Sequence, residues 1–438
     1  MSRTKKKTST NKSKKSNTKN NTKKSNTINN TKKSNIKHKN INARIIIKQA
    51  IGGLVEDMNT IKKLIESVGG TVEIIVFEDI KYELRKPSHN IKFKHVDIQF
   101  FIEHVYVEDP LKLFPADKSY IFINQEYMAD WDYDRMKDKT VIPLCKTHAS
   151  YRQLKQLGMH TAKYVGFGNN TPILIDSIDN NTKINKQTNK QTNKQTNKQT
   201  NNKINKISNL FVHIAGQSPL KGTITLIKTW NDKHIKVPLI VTAKNKDGGN
   251  TKLFNYWKSL RPNKIKGLPD IAGLKNAWDM HLHNIEIPVF EKVGSIYLCD
   301  KTLDINIIRF LQNVADVHMC PSAMEGWGQY IDEGRRTKSV VLTLDASPMN
   351  ELIDAKSGVL VPSMKGPSTK QILPPNWTQY LSKFANKDTY TATINNMYIK
   401  IQDIIKMNDS EKRKMGENAF VKSKKDYDFF KRNFIKLL

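Results

Sequence analysis

Two glutamates near the carboxyl end of the chain, Glu325 and Glu333, are separated by seven residues that include Gly326 and Gly328. Carboxylates accept paired hydrogen bonds from neighbouring hydroxyls, so two of them could hold two hydroxyl-bearing ends of one ligand. Glycines between them would let that ligand approach the backbone amides closely. Because two glutamates at this spacing occur by chance in most proteins, the surrounding elements decide whether the pair is a site.

Those elements are a short apolar strand at 317–320, a turn carrying Glu325, a helix from about residue 328 that contains Glu333, and a strand at 340–344. This order places a loop and a helix N-terminus at the carboxyl edge of a parallel sheet, where α/β folds bind ligands and where the helix dipole favours phosphate. Lys221, in a glycine-containing loop after the strand at 210–215, could neutralise phosphate charge on a leaving group. The set suits a nucleotide sugar, which offers a ribose diol, a diphosphate and a hydroxyl-rich ring.

The net charge of +32 invites a nucleic-acid interpretation, but the charge is concentrated in two tracts. Residues 1–40 hold fourteen basic residues and no acid, and 180–208 hold seven lysines and no acid, which together make 21 of the 32 charges. The rest of the 438 residues carries little excess charge and has room for two or three domains. Nucleic acid is therefore not the favoured partner.

Both tracts lack the apolar residues needed to offset the entropy of ordering, so residues 1–40 are predicted to be a disordered tail. A nuclear-localisation or nucleic-acid role for the tail is the alternative, and a merely solvating tail is favoured. Residues 176–208, with Lys-Gln-Thr-Asn repeats at 186–201, are predicted to be a flexible low-complexity insert between domains.

The three cysteines, Cys145, Cys299 and Cys320, have no CxxC spacing and sit in or beside apolar runs, which predicts reduced, buried thiols. No run of 18 apolar residues is present, and the first forty residues have no apolar core of the kind that a secretory signal needs. These features predict a soluble intracellular protein of the cytoplasm, or of a host cytoplasm if the gene is viral, without a transmembrane segment.

The remaining sequence predicts an α/β protein with two Rossmann-like halves. Residues 41–175 form a first domain with strands at 44–47, 72–77, 98–102, 120–123 and 141–144, and Gly52-Gly53 lies at its first strand–helix turn. Glycine there would admit a ligand, although a plain tight turn explains the pair equally well. Residues 209–409 form the second domain, and 410–438 form a C-terminal helix that could pack back on the first domain. Polar residues follow the strands of both halves at the edge where such sheets collect ligand groups.

In this context the chain resembles the retaining GT-B glycosyltransferases of the large "group 1" family, also called family 4. The resemblance covers most of 209–362 and, in outline, 41–175. It is carried by Pro321-Ser322, Glu325-Gly326-Trp327-Gly328, Glu333, the run at 358–362 and Lys221-Gly222.

This resemblance implies two Rossmann-like domains facing across a cleft, and transfer of a hexose from a nucleoside diphosphate sugar to an acceptor hydroxyl with retention of configuration. It implies that Glu325 contacts the donor sugar, Glu333 the ribose and Lys221 the diphosphate. It places further donor contacts at Gly326, Trp327, Gly328, Gln217, Gly52 and Gly53.

The family often has a histidine at a strand end of the first domain, and this predicts His104 as a third catalytic residue beside Glu325 and Lys221, with His148 as its substitute. Gln217 stands where the family has an arginine, and Lys146 is the candidate to replace that charge. Glu126, which follows the strand at 120–123, is a further supporting candidate.

No cofactor and no obligatory metal are implied by the resemblance. The segment Asp130-Trp-Asp132 has the letters of a metal-type Asp-x-Asp motif, but it follows a polar turn and not a strand end. The expected binding partner is therefore the nucleotide sugar itself. The acceptor, whether carbohydrate, lipid or protein, stays open.

Two other functions fit part of the pattern. The same fold hosts nucleotide-sugar epimerases and glycan phosphorylases, which would use the same donor-side residues. More remotely, the basic tracts could make the chain a nucleic-acid-binding protein, and the function would then depend on residues 1–40.

Overall fold

The computed structural model describes residues 41–49, 52–80, 93–171, 173, 204–245, 249–282, 284–379, 381–385 and 388–438. The predicted tail at 1–40 and most of the predicted insert at 176–208 lie outside these residues.

The first half is built on a six-stranded sheet in the order β2-β1-β3-β4-β5-β6, in which every neighbouring pair is parallel. Its strands are β1 (Asn42–Ile47), β2 (Thr71–Val76), β3 (Val96–Glu103), β4 (Ala116–Ile123), β5 (Ile142–Cys145) and β6 (Lys163–Tyr164). Its helices are α1 (Gly52–Glu66), α2 (Phe77–Ile80), α3 (Pro110–Leu113), α4 (Asp130–Lys137) and α5 (His148–Gln156).

Apolar periodicity explains these elements. Strand β1 buries five consecutive residues, as expected for a central parallel strand covered on both faces. Helix α1 buries Met58, Ile61, Leu64 and Ile65 at helical spacing against the sheet. The five strands predicted for this half all form, with ends that differ by a few residues.

The second half has an eight-stranded sheet in the order β14-β13-β12-β7-β8-β11-β10-β9, in which all strands run parallel except β10, which is antiparallel to β11 and β9. Its strands are β7 (Ile207–Gly216), β8 (Leu239–Ala243), β9 (Asn263–Ile265), β10 (Phe290–Val293), β11 (Ile296–Cys299), β12 (Ala315–Cys320), β13 (Val340–Leu344) and β14 (Val359–Val361). A separate two-stranded sheet pairs β15 (Met364–Lys365) with β16 (Tyr390–Thr391).

The helices of this half cover both faces of the large sheet. They are α6 (Thr223–Asp232), α7 (Thr251–Ser259), α8 (Leu274–His281), α9 (Ile305–Val314), α10 (Gln329–Arg336), α11 (Met349–Leu352), α12 (Thr369–Ile372), α13 (Pro375–Thr378), α14 (Ile394–Lys406) and α15 (Asp409–Ile435). The helix predicted to follow the glutamate loop is α10.

Each sheet has one point where the direction of strand addition reverses. In the first sheet β1 lies between β2 and β3, and in the second β7 lies between β12 and β8. The crevice outside the carboxyl ends of the strands at such a point is where open α/β sheets bind ligands. The loops after β1, β3, β7 and β12 are therefore the segments expected to carry a site.

The long C-terminal helix α15 reaches the first sheet. The ring of Phe434 lies 5.1 Å from that of Phe100 on β3, and Phe430 packs beside it. The three cysteines are buried and free, as predicted. Among the described residues, none of the helices combines the length and apolar character needed to span a bilayer.

Candidate active site

The loop after β7 holds Lys221 in place. A 3-10 turn at Pro219–Lys221 begins after Ser218, whose hydroxyl accepts a hydrogen bond from the backbone N–H of Leu220. From this turn the Lys221 ammonium donates to Glu325 Oε1 at 2.5 Å and lies 4.3 Å from the centre of the Tyr330 ring. The lysine and the glutamate predicted to share a ligand thus meet directly, although 104 residues separate them.

Glu325 lies on the loop after β12, and its carboxylate is held from two sides. The Ser322 hydroxyl donates to the same Oε1 that Lys221 contacts, and Ser322 in turn hydrogen-bonds the Tyr330 hydroxyl. Only 7% of Glu325 is exposed. The carboxylate is therefore fixed at the carboxyl end of the sheet beside the start of α10.

Helix α10 begins where Gly328 allows the chain to turn. Gly328 adopts a φ of +100°, which a side chain would strain, and serves as the N-cap residue. Glu333, predicted to contact the ribose, lies just over one turn into the helix. Its Oε2 accepts from Gln312 at 2.7 Å, and its Oε1 accepts from Gln329 at 3.3 Å.

The environment of Glu333 disfavours its charge. Burial raises the pKa of this carboxyl to about 7, and the negative charge of Glu56 adds to the shift, whereas Arg336 and the Gln312 hydrogen bond act in the opposite direction. A neighbouring hydroxyl donor would stabilise the carboxylate form.

The loop after β4 brings the first half against the glutamate loop. Gln125 donates from Nε2 to the backbone oxygen of Glu325 at 3.1 Å. Gly326 lies so close to Asn124 and Glu126 that a Cβ at this position would sit 2.5 Å from the Asn124 side-chain oxygen and 2.8 Å from Glu126 Oε1. Glycine at 326 therefore permits the two halves to meet.

Glu126 is 5% exposed, and its Oε2 has no hydrogen-bond partner among the described residues. Burial raises the pKa of this carboxyl to about 8, and the negative charges of Glu325 and Glu103 reinforce the shift. A hydrogen bond from its own backbone and the positive charge of Lys146 oppose it. Glu126, a supporting candidate in the sequence, thus has a more unusual environment than the primary candidates.

His104 follows β3 and is held by Asp132. Its Nδ1 lies 2.6 Å from Asp132 Oδ2, and Asp132 also accepts from the backbone N–H groups of Val105 at 2.8 Å and Ala129 at 2.9 Å. Burial lowers the pKa of His104, but the Asp132 hydrogen bond and charge, together with Glu103, outweigh burial and leave the pKa raised. The imidazole is oriented and biased toward its charged form.

The backbone at this strand end is strained. Glu103 has a φ of +75°, a region that non-glycine residues rarely occupy, and such residues cluster at functional sites. The Glu103 side chain accepts a hydrogen bond from Asn124 at 3.1 Å, which links the ends of β3 and β4.

Gly52 and Gly53 open helix α1 after β1, and Gly53 faces the second half. A Cβ on Gly53 would lie 2.0 Å from Gln329 Oε1, at the first residue of α10. The N-termini of α1 and α10 therefore approach each other across the cleft, and both would present backbone N–H groups and positive dipole ends to an anion between them.

Lys146, the candidate replacement for the missing arginine charge, has other partners. Its ammonium donates to Asp57 on α1 at 2.6 Å and to Asn124 at 3.2 Å, and it lies 5.1 Å from the centre of the Phe167 ring. The charge of this lysine is thus balanced within the first half, where it ties α1 to the strand ends.

The remaining candidates make other contacts. The Trp327 ring packs edge-on against Phe167 at 5.0 Å, so it forms part of the packing between the halves. The His148 ring stacks on Tyr164 at 3.9 Å, and the His148 backbone N–H donates to Glu351 at 2.7 Å. Gln217 is half-buried in the turn after β7.

Several residues of this region escape sequence reasoning. Asp132 belongs to the Asp-x-Asp segment, which has the pattern of a metal-binding motif, but its partner in the structure is His104. Ser322, Tyr330 and Gln125 are recognisable only from their contacts with Glu325. Among the residues that the structure describes, no group of three or more His, Cys, Asp or Glu side chains is arranged to hold a metal ion.

Solved structures share this fold at low sequence identity. A glycosyltransferase from Rickettsia africae is 12% identical, with a TM-score of 0.54 over 91% of this chain and 97% of that chain. HepE from Anabaena, in complex with UDP and glucose, is 12% identical, with a TM-score of 0.50 over 91% of this chain and 99% of that chain. An E. coli structure described as trehalose-6-phosphate bound with UDP-2-fluoro glucose is 9% identical, with a TM-score of 0.50 over 90% and 98% of the two chains.

The chain therefore has the GT-B architecture, two Rossmann-like α/β halves that face each other across a cleft, as the sequence predicted. No family model matches the chain, and no curated protein matches it.

Proposed function

We propose that this chain is a glycosyltransferase that moves a hexose from a nucleoside diphosphate sugar to an acceptor hydroxyl, with retention of configuration. The observation that carries the proposal is the contact of Lys221 with Glu325 at the reversal point of the second sheet, beside the N-terminus of α10. A cation, a carboxylate and a helix N-terminus at one place match the diphosphate and the sugar of such a donor.

The ligands of the structural neighbours support the choice of donor class. HepE has been crystallised with UDP, with UDP and glucose, and with UDP-glucose, and the E. coli neighbour holds UDP-2-fluoro glucose. We take UDP-sugars as the first donors to test for this chain, with glucose as the first sugar.

In the proposed mechanism the diphosphate lies between the N-termini of α10 and α1, and the two helix dipoles and Lys221 stabilise the charge that develops on the leaving group. The Lys221 ammonium turns from Glu325 toward the phosphate, and the freed carboxylate accepts hydrogen bonds from the sugar hydroxyls. Glu333 binds the ribose. His104, kept toward its charged form by Asp132, contacts the sugar from the first half.

Glu325→Gln and Glu333→Gln test the site. A panel of nucleotide sugars is screened for thermal stabilisation of the wild-type chain, and the best donor is then used in turnover assays. We expect Glu325→Gln to lower kcat by about 10²-fold, as losing one charge-stabilising contact does in other enzymes, and Glu333→Gln to raise the donor KM about tenfold. Glu417→Gln on the exposed surface of α15 is the control for charge loss.

Normal turnover by both variants would refute the site assignment. Epimer formation without acceptor, or a requirement for inorganic phosphate, would instead refute the transferase proposal in favour of an epimerase or a phosphorylase.

A further inference from the structure

Glu126 has a carboxyl oxygen with an unmet hydrogen bond inside the cleft. The residue follows β4 at the carboxyl edge of the first sheet and is 5% exposed, and its Oε2 has no partner among the described residues. A buried polar atom without a partner is rare in folded proteins, because it loses its bonds to water and gains none in return. Such an atom at a substrate cleft indicates that a partner arrives with the ligand.

The charged groups around Glu126 do not supply that partner. Glu325 on the loop after β12 and Glu103 at the end of β3 are negative. Lys146, the positive group that acts on Glu126, already donates to Asp57 and Asn124. Lys221, across the cleft, contacts Glu325.

The position of Glu126 indicates which part of a bound ligand would contact its carboxyl group. Glu126 Oε1 faces Gly326, the residue next to Glu325, so the carboxyl lies beside the glutamate that we assign to the donor sugar. A phosphate is disfavoured as its partner, because both neighbouring glutamates would repel its negative charge. A neutral hydroxyl can donate to the carboxylate without any counter-ion.

We propose that Glu126 contacts the donor sugar from the first half, accepting a hydrogen bond from one hexose hydroxyl and so determining which sugars the enzyme uses. The inference rests on the proposed function and extends it to a residue outside the family motif. The sugar binds the second half first, and closure of the two halves then places Oε2 on the hydroxyl and excludes water. A site built in this way discriminates strongly against a sugar that lacks the hydroxyl, since the carboxyl would again be left unpaired.

The test compares the affinities of a nucleotide sugar and of its nucleoside diphosphate. The probe pair is UDP-glucose and UDP, or the nucleotide sugar with the largest stabilisation in the panel and its own diphosphate. At pH 8.5, above the pKa of about 8 of this carboxyl, we expect Glu126→Gln to weaken the affinity for the nucleotide sugar 10- to 100-fold, the range for a lost hydrogen bond to a charged group. The affinity for the diphosphate should stay within about twofold. Glu66→Gln, on an exposed carboxylate of helix α1 in the same half, is the matched control and should change neither affinity.

Monodeoxy analogues of the same nucleotide sugar identify the hydroxyl. The wild type should reject one of them far more than the others, and Glu126→Gln should lose that one preference while its secondary structure stays intact. A structural role alone would lower all affinities together. If Glu126→Gln fails to fold, Glu126→Asp, which withdraws the carboxyl by one methylene, is used in the same comparison with the same expected selective loss.

Equal affinities of Glu126→Gln and wild type for the nucleotide sugar, or equal losses for sugar and diphosphate, would overturn this inference and leave the proposed function standing. If the wild-type chain binds no nucleotide sugar, both the inference about Glu126 and the proposed function are overturned. The binding screen of the wild type gives this result before any variant is made.

Discussion

Replacing Glu126 by glutamine should change how the stability of the protein depends on pH. A carboxyl whose pKa is higher in the folded than in the unfolded chain stabilises the folded state only at low pH, where both states hold the proton. As pH rises, the unfolded chain releases its proton first, so the contribution is lost between the ordinary pKa of 4.5 and the folded value of about 8. Glutamine does not titrate and has no such dependence.

The size of the effect follows from that interval. A span from 4.5 to about 8 at about 1.4 kcal/mol per pKa unit gives an upper limit of about 5 kcal/mol between pH 4.5 and 8. Slight separation of the two halves would admit water to the carboxylate, so we expect roughly half of this limit. The unpaired amide of glutamine costs about 1–3 kcal/mol at every pH. Glu126→Gln should therefore be less stable than wild type near pH 5, and should equal or exceed it near pH 8.

Melting temperatures of the two proteins measured from pH 5 to 8.5 give the comparison. A change of 2 kcal/mol corresponds to roughly 4–8 °C for a domain of 150–250 residues, and the difference between the two curves should change by about that amount across the range. Parallel curves would refute the reasoning, since they would mean that Glu126 titrates alike in both states. Glu66→Gln on helix α1, where the carboxylate and its partner Lys62 are both exposed, is the control for loss of a surface charge.

Two further changes test the contacts around the cleft. Asp132→Asn removes the charge beside His104, so the burial that lowers the pKa of His104 is no longer outweighed. An NMR titration of the His104 ring should show a lower pKa than in wild type. An unchanged pKa would contradict the role given to Asp132. Gly326→Ala places a Cβ 2.5 Å from the Asn124 side-chain oxygen, so the halves should stay apart, with a larger radius of gyration by small-angle scattering and at least tenfold weaker donor binding. Adding Asn124→Ala should restore part of the closure, and a compact Gly326→Ala protein would show that this contact does not limit it.

Central parallel strands such as β1 and β13 were predictable because each contains a short run of apolar residues that is buried in the sheet. The two strands at the antiparallel edge of the second sheet were not. Strands β9 and β10 are short and partly polar, and they exist because each pairs with a neighbour. The segment before α14 is of the same kind: α13 ends at Thr378, and strand β16 precedes α14 because it pairs with β15, which is distant in sequence.

Some contacts of the candidate site were likewise predictable from the sequence, and others were not. The meeting of Lys221 and Glu325 follows from the rule that strand carboxyl ends share one sheet edge, so the sequence could predict it. The link between His104 and Asp132 depends on how α4 packs at the end of β3. The burial of Glu126 depends on contact between halves that are about 200 residues apart in sequence. No local pattern encodes either relation.

The ion pair of Lys221 and Glu325 couples binding of the diphosphate to binding of the sugar in the proposed donor. Lys221 donates to the Glu325 oxygen that also accepts from Ser322, so the lysine cannot turn fully toward a phosphate without uncovering that carboxylate. A sugar hydroxyl would cover it again, whereas a nucleoside diphosphate alone would not. Glu126 adds a second carboxyl oxygen that a sugar hydroxyl would satisfy. Under the proposed function, the sugar is therefore needed to complete the closed cleft, and loss of the sugar after transfer would favour release of the diphosphate.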